Sequence, residues 1–369
     1  MPEPTKLLIV GGGPAALEAV LTLQRHAPER VQLTLLCDRD EFVYRPVAVA
    51  EPFGFATAER FSLAGVAADR GIDFRRGTLR SVDPAAHRVL LADGSELEYD
   101  ILLLAVGARA VEALPGALTF RGPEDAAPLR ERLEHLDRGA PVRIAFAAPP
   151  ETSWTLPLYE LALLSVEWAR ERELALEAWV VTYEHRPLSV FGDEVAAATA
   201  KLLADRGVRV WTGAFAEAFE EGKLWVSLEG GLPVDLAVAL PRLVGRRIPG
   251  LPADAGGFVP VDAYGRVTGV EDVYAAGDMT ARPLKQGGLA TQQASAAAAA
   301  IAARLGADVD TRAYRPVLRA MLLTGERPRY LRRPGAAADE APWWPPHKIA
   351  GRELAPYLTA HPELRLAGP

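Results

Sequence analysis

Residues Lys6–Glu18, KLLIVGGGPAALE, place a short apolar run directly before a glycine turn and a helix-forming segment. Leu7, Leu8, Ile9 and Val10 have no polar alternation, so they read as a strand covered on both faces, as in a parallel sheet. Gly11 permits a tight turn, and Gly13 lets the backbone approach an anion with no side chain in the way. Ala16 stands where the third glycine of a G-x-G-x-x-G/A pattern falls, small enough for the helix to pack on the strand. The helix then presents free N–H groups and the positive end of its dipole, a cradle suited to a pyrophosphate. A strand, turn and helix in this order commit the chain to the α/β class.

The following segments continue that pattern. A helix is expected near Pro14–Arg25 and an alternating strand at Val31–Asp38. Asp38 falls near the spacing, about 20 residues on, at which a strand-end acid meets a ribose hydroxyl. The stretch 41–57 is loop-rich. Arg88–Leu91 and Leu97–Tyr99 read as a hairpin through Ala92-Asp93-Gly94-Ser95. Ile101–Ala105 is another buried strand, ending in Val106-Gly107.

A second unit with the same order of elements begins near Pro141. It has a strand at Val142–Phe146, a helix at Leu156–Arg172 and a strand at Leu176–Tyr183. Next come a helix at Asp193–Arg206 with Asp193 as its cap, a strand at Val208–Trp211, and Lys223–Leu228 and Leu236–Leu240 completing the sheet. Two Rossmann-like halves are therefore expected. The expected division is a discontinuous first domain over 1–115 and 250–305, a second over 116–249, and a C-terminal extension over 306–369. The alanine-rich run Ala294–Ala303 is a strong helix former.

Composition narrows the function. The chain has 369 residues, a formal net charge of −7 and one cysteine, Cys37. An acidic balance argues against a general nucleic-acid binder. A lone cysteine and histidines without ligand spacing leave no expected disulfide or metal site. No basic leader or long apolar run is read, so the expected setting is cytoplasmic.

Three further segments, LLLAVG at 102–107, VYAAGD at 273–278 and KQGGLATQQ at 285–293, join the opening motif. Together they resemble the two-dinucleotide-domain flavoproteins with a glutathione-reductase-like, pyridine nucleotide-disulfide oxidoreductase-like fold. Within these, 31–54, the central domain and EHRPLSVFGDE at 184–194 look like the sulfide:quinone oxidoreductase and flavocytochrome c sulfide dehydrogenase branch. Type II NADH dehydrogenases are close cousins.

The resemblance implies FAD. It puts Gly11, Gly12, Gly13, Pro14, Ala15 and Ala16 at the pyrophosphate, Asp38 at the adenosine ribose, Leu79 beside the adenine, and Arg39 among the cofactor-binding residues. Ala105, Val106 and Gly107 would pass close to the cofactor. Gly277 and Asp278 would face the ribityl chain. Gly288, Leu289 and Ala290 would aim a helix dipole at the flavin, favouring its reduced, anionic form. Arg45, in the loop Phe42–Pro46, would meet a phosphate or an anionic substrate, or simply lie on the surface. Lys285, Glu160 and Trp154 are the candidates for chemistry. Glu160 is expected as a helix-surface carboxylate, and Trp154 and Tyr159 either wall the substrate side of the flavin or fill a core.

The second half departs from the first. Its turn is Ala147-Ala148-Pro149-Pro150-Glu151, where two prolines remove N–H donors and Glu151 has the wrong sign for a phosphate. The sulfide-oxidising branch shares such a turn. Those enzymes take up sulfur on a cysteine pair, yet Trp154 stands nearest one of these positions, and Cys37 belongs at the adenosine end as a small buried hydrophobe. The expected function is an FAD-dependent oxidoreductase carrying electrons from a small donor to an acceptor, a quinone by resemblance. The alternatives are an NAD(P)H dehydrogenase or ferredoxin-reductase-like enzyme, and an electron-carrier subunit that needs a partner. Trp343-Trp344-Pro345-Pro346 and the apolar segment after it, interrupted by Pro356, leave two readings open: peripheral contact with the inner face of a membrane, or packing within the chain or a homodimer.

Overall fold

The computed structural model describes residues 3–136, 141–333, 348–349 and 351–367. Its frame is a pair of five-stranded sheets, parallel throughout, in which four strands follow the same order and the fifth, at one edge, comes from late in the chain in the first sheet and from before the other four in the second. In the first, Val273–Ala275, Ile101–Leu104, Thr5–Val10, Val31–Cys37 and Asp73–Arg76 lie side by side. In the second the order is Leu118–Thr119, Leu236–Ala239, Val142–Ala148, Leu176–Thr182 and Arg209–Thr212. Leu7–Val10 and Ile101–Leu104 are buried along their whole length, which is why neither alternates. Where the chain passes between the halves, Arg109–Val111 pairs antiparallel with Arg242–Val244.

The helices are α1 (Pro14–His26), α2 (Leu63–Arg70), α3 (Ala126–Leu136), α4 (Leu156–Glu171), α5 (Asp193–Asp205), α6 (Gly287–Arg304) and α7 (Leu354–Ala360). Pro14 opens α1, where its missing N–H costs nothing. Helix α6 packs along α1 through Ala294, Ala297 and Ala298, which share one core with Ala16, Ala19 and Leu23. Small residues on both faces allow the two axes to approach closely. A second core gathers Phe146, Tyr159, Leu163 and Phe191 around α4.

Several local expectations give way. Lys223–Val226 belongs to a separate antiparallel sheet with Ala216–Glu220 and Gly230–Pro233. Lys223 and Trp225 are exposed while Leu224 and Val226 are buried, so the strand has one wet face and cannot sit in a sheet covered on both sides. Asp193 does not cap α5. Gly192 does, at φ +101°, and Asp193 is the first helical residue, paired instead with Arg186. Pro356 does not interrupt α7, because it falls in the first turn, where no N–H is required.

The stretch read as an extension enters both cores. Leu318, Ala320 and Leu322 join the second, on the hairpin Arg319–Leu322 with Arg329–Arg332. Ile349, Leu354, Tyr357 and Leu358 join the first. The apolar face of α7 is thus buried in this chain rather than turned outward. Trp343 and Trp344 lie outside the described residues.

Candidate functional site

Gly11 ends the first strand at φ +134°, and a Cβ there would lie 2.3 Å from the Ala105 carbonyl oxygen. Two strand ends are drawn together at a point where only glycine fits. A Cβ on Gly12 would strike Cys37 Sγ at 2.6 Å, whereas one on Gly13 would meet nothing within 4 Å. Gly13 therefore leaves open space at the mouth of α1. It is the N-cap of α1, with extended backbone, no side-chain cap and no acid in the first turn. The first-turn amides of α1 are left to water or to a ligand. Ala16 is fully buried and lines nothing; its small size serves the packing of α1.

These residues form one end of a cavity of about 730 Å³, within the usual range of ligand sites. Gly11–Ala15, Asp38, Arg39 and Leu79 line it, as do Ala105–Gly107. Cys37 lies buried there, and burial pushes its thiol pKa up. Farther along, Gly277, Asp278, Lys285, Gly288 and Ala290 line the same space. Leu289 does not. Its side chain points into the second core, and its N–H is taken at 2.9 Å by the Gln286 side chain, which caps α6. Glutamine is outside the favoured N-cap set, so sequence gave no signal for it.

The turn 277–280 is pinned to α6 by Gln293, whose Oε1 accepts from Gly277 N–H at 3.1 Å and Thr280 Oγ1 at 3.0 Å. Burial raises the Asp278 carboxyl above its ordinary value, opposed by the charges of Lys285 and Arg45. Lys285 is 7% exposed and pushed down to about 8 by burial, with Asp278 and Asp254 pulling the other way. Its ammonium donates to the Thr280 carbonyl and sits 3.9 Å from the centre of the Phe258 ring. Arg45 reaches Glu124 across 3.6 Å.

The other end of the cavity is more apolar: Val49, Phe120, Trp154, Leu156, Met321 and Ile349. Glu160 is here, and it is not a surface carboxylate. It is 1% exposed on α4. Lys348, from the distant C-terminal segment, donates to its two oxygens at 2.6 and 2.8 Å and to the Pro46 carbonyl at 2.9 Å. Leu323 N–H donates at 2.8 Å. Burial pushes Glu160 up and Lys348 down, and each charge opposes the other's shift. Trp154 lines this end, edge-on to Phe191 at 5.9 Å. Tyr159 does not wall the cavity; its hydroxyl donates to Glu184 at 2.6 Å inside the second half.

The second-half turn is closed on itself. Thr152 donates to the Pro149 carbonyl through both its N–H (3.2 Å) and its hydroxyl (2.7 Å). Glu151 takes φ +68° and faces Arg242 at 3.4 Å.

Residues 5–144 and 162–302 match the family profile described as pyridine nucleotide-disulphide oxidoreductase. An NADH dehydrogenase-like protein of Mycobacterium tuberculosis is 28% identical over 300 residues, spanning 75% of this chain and 73% of that one. The sulfide-quinone reductase of Aquifex aeolicus is 26% identical over 206 residues, 54% of this chain and 47% of its own length. Among solved structures, the Aquifex aeolicus sulfide:quinone oxidoreductase superposes with a TM-score of 0.82 at 21% identity, covering 97% of this chain and 91% of that one. Putidaredoxin reductase, in its covalent complex with putidaredoxin, gives 0.66 at 19% identity, covering 87% and 79%. At these identities the superpositions establish the fold.

Proposed function

The chain belongs to the pyridine nucleotide-disulphide oxidoreductase family, and from that premise we propose that it is an FAD-dependent oxidoreductase passing electrons from a small-molecule donor to a quinone. The residues present suit FAD. An uncapped helix N-terminus opens on the cavity beside Gly13, where a Cβ would fill empty space, and no first-turn acid opposes a phosphate. Gly11–Ala15 would hold the pyrophosphate, Asp38 a ribose hydroxyl, Leu79 the adenine side, and Asp278 the ribityl chain. When bound, FAD supplies reversible one- and two-electron chemistry.

The remaining work falls to the chain. Lys285 and the N-terminal end of α6 favour negative charge in the middle of the cavity. Trp154, Met321 and Ile349 give the far end an apolar lining. Lys348 Nζ donates to Glu160 beside that apolar arm, and the Glu160 charge opposes the downward push that burial exerts on the ammonium.

One observation carries the choice against NAD(P)H. In the second half, the strand-end acid Glu184 is turned inward onto the Tyr159 hydroxyl, beside a turn whose prolines offer no donors. The NADH dehydrogenase-like relative makes the rival reading concrete. The test is an anaerobic titration of the yellow protein. NADH and NADPH are expected to leave the flavin band intact, and a soluble benzoquinone to reoxidise the reduced protein. Fast bleaching by NADH would reverse the assignment. No described helix is long and apolar enough to cross a membrane. Contact with a membrane face or a second copy would have to use surfaces other than the buried face of α7.

A further inference from the structure

Glu18 sits on α1, just beyond the glycine turn, and is completely buried. Among the described residues no cation pairs with it. Its oxygens are occupied instead by donors from the C-terminal segment and α6. Oε1 accepts from Ser295 Oγ at 2.9 Å, Arg352 N–H at 2.9 Å and Glu353 N–H at 3.1 Å. Oε2 accepts from Leu354 N–H at 2.8 Å and Glu353 N–H at 3.2 Å. Three consecutive amides at the start of α7 thus converge on one carboxylate. Gly351 makes the approach feasible, since a Cβ there would lie 2.7 Å from Oε2.

Burying an uncompensated carboxylate is costly unless hydrogen bonds replace its water. This one is fully served, but only while the segment is docked. The segment reaches the cavity within a few residues of the clasp. Ile349 donates its N–H to the Tyr44 hydroxyl at 2.7 Å and rests on Gly287, where a Cβ would come within 3.2 Å of its side chain. Lys348 enters the wall and meets Glu160. A chain spans at most about 3.5 Å per residue, so freeing 352–354 removes the nearby anchor on one side of Lys348 and leaves its placement against Glu160 to the bonds of Ile349 to Tyr44 and of Lys348 to Pro46. A buried ion pair is favourable only when its geometry is held.

We propose that Glu18 is a positioning residue for the cavity: its clasp on the amides of 352–354 sets Lys348 and Ile349 in the wall of the acceptor arm. This rests on the redox reading of the cavity given above. The clasp predicts coupling between two sites on opposite sides of the segment, which a merely stabilising contact does not.

The experiment compares the holoenzyme with Glu18→Gln, Lys348→Met and the double variant. Glutamine keeps one acceptor oxygen but turns an NH₂ toward amide donors. Each protein is reduced anaerobically and mixed with a soluble short-chain benzoquinone, and amide hydrogen exchange over 348–358 is followed alongside. For Glu18→Gln the half-saturating quinone concentration should rise about tenfold, more than the limiting rate falls, and the double variant should be no worse than Lys348→Met alone. The Ile349 amide should lose protection together with 352–354. Additive losses in the double variant, or an Ile349 amide that stays protected while 352–354 open, would overturn the proposal. If quinone does not reoxidise even the unaltered protein, the functional reading fails, and the exchange data alone decide the clasp. Should Glu18→Gln not fold, Gly351→Ala presses a methyl on the carboxylate from the other side and is read by the same outcomes.

Discussion

The two halves share the order of four parallel strands but differ in the source of the fifth and, more consequentially, at one turn. In the first, Gly11–Gly13 brings two strand ends together and leaves the amides of α1 facing open space. In the second, the matching place is filled by Pro149, Pro150 and a Thr152 that bonds back to Pro149. The strand-end acids diverge too. Asp38 lines the cavity, whereas Glu184 is spent on Tyr159. One topology can therefore keep a nucleotide-type cradle or discard it without altering the sheet, because the sheet depends on buried strand residues and the cradle on a handful of turn backbones.

The most direct way to break this comparison is at Gly11. Gly11→Ala puts a Cβ 2.3 Å from the Ala105 oxygen at a backbone angle alanine rarely adopts, so the purified protein should be colourless and should not regain FAD on incubation. Retained yellow colour in the variant would show that this turn is not the cradle. Next in size is Glu160→Gln, which leaves the Lys348 ammonium buried beside a neutral amide. Urea unfolding should show a loss of about 3–5 kcal/mol, against almost none for a surface carboxylate. Tyr159→Phe then tests the discarded acid. Glu184 keeps weaker donors such as Thr182, so a loss of about 1–3 kcal/mol is expected, with flavin content unchanged.

The smallest effect is a pH dependence at Lys285. Its folded pKa, about 8, lies below the ordinary lysine value of 10.5. Above pH 8 the native state sheds this proton before the unfolded chain does. The unfolded state then holds more protons, and the stability of the cofactor-free protein gains a positive slope between about pH 8 and 10.5. Lys285→Met should remove that contribution in thermal melts across this range. Identical slopes in the two proteins would mean that Lys285 is not held in a desolvated place.

Much of this was legible because it is local. A strand without polar alternation, a glycine turn and a small residue three places on lie within Lys6–Glu18, and Gly277-Asp278 lies at another strand end. What sequence missed is held by distance. Glu160 and Lys348 meet across 188 positions, and a lysine in a Pro- and Trp-rich tail gives no sign of burial. Nothing in the sequence singles out Glu18, because most of its partners are backbone amides, which leave no trace in side-chain pattern. Glu160 falls on the expected helix, with Trp154 just before it, but at a buried position rather than on the helix surface, because the residues that cover it come from elsewhere in the chain. The strand expected at Lys223–Leu228 carries its one wet face in the letters, since Lys223 to Val226 alternate, and that period rather than apolar content decides which sheet it joins.

The entry of the C-terminal segment into both cores carries a consequence for the order of synthesis. A chain made from its N-terminus exposes the glycine turn, both sheets and α6 before Lys348 or α7 exists. Until Lys348 and α7 emerge, Glu160 has no ammonium beside it, Glu18 has no amides donating to it, and the cavity lacks one wall. The newborn protein therefore passes through a stage with a complete cradle and an open side, which closes only once the stretch from Lys348 to α7 has been made and docked.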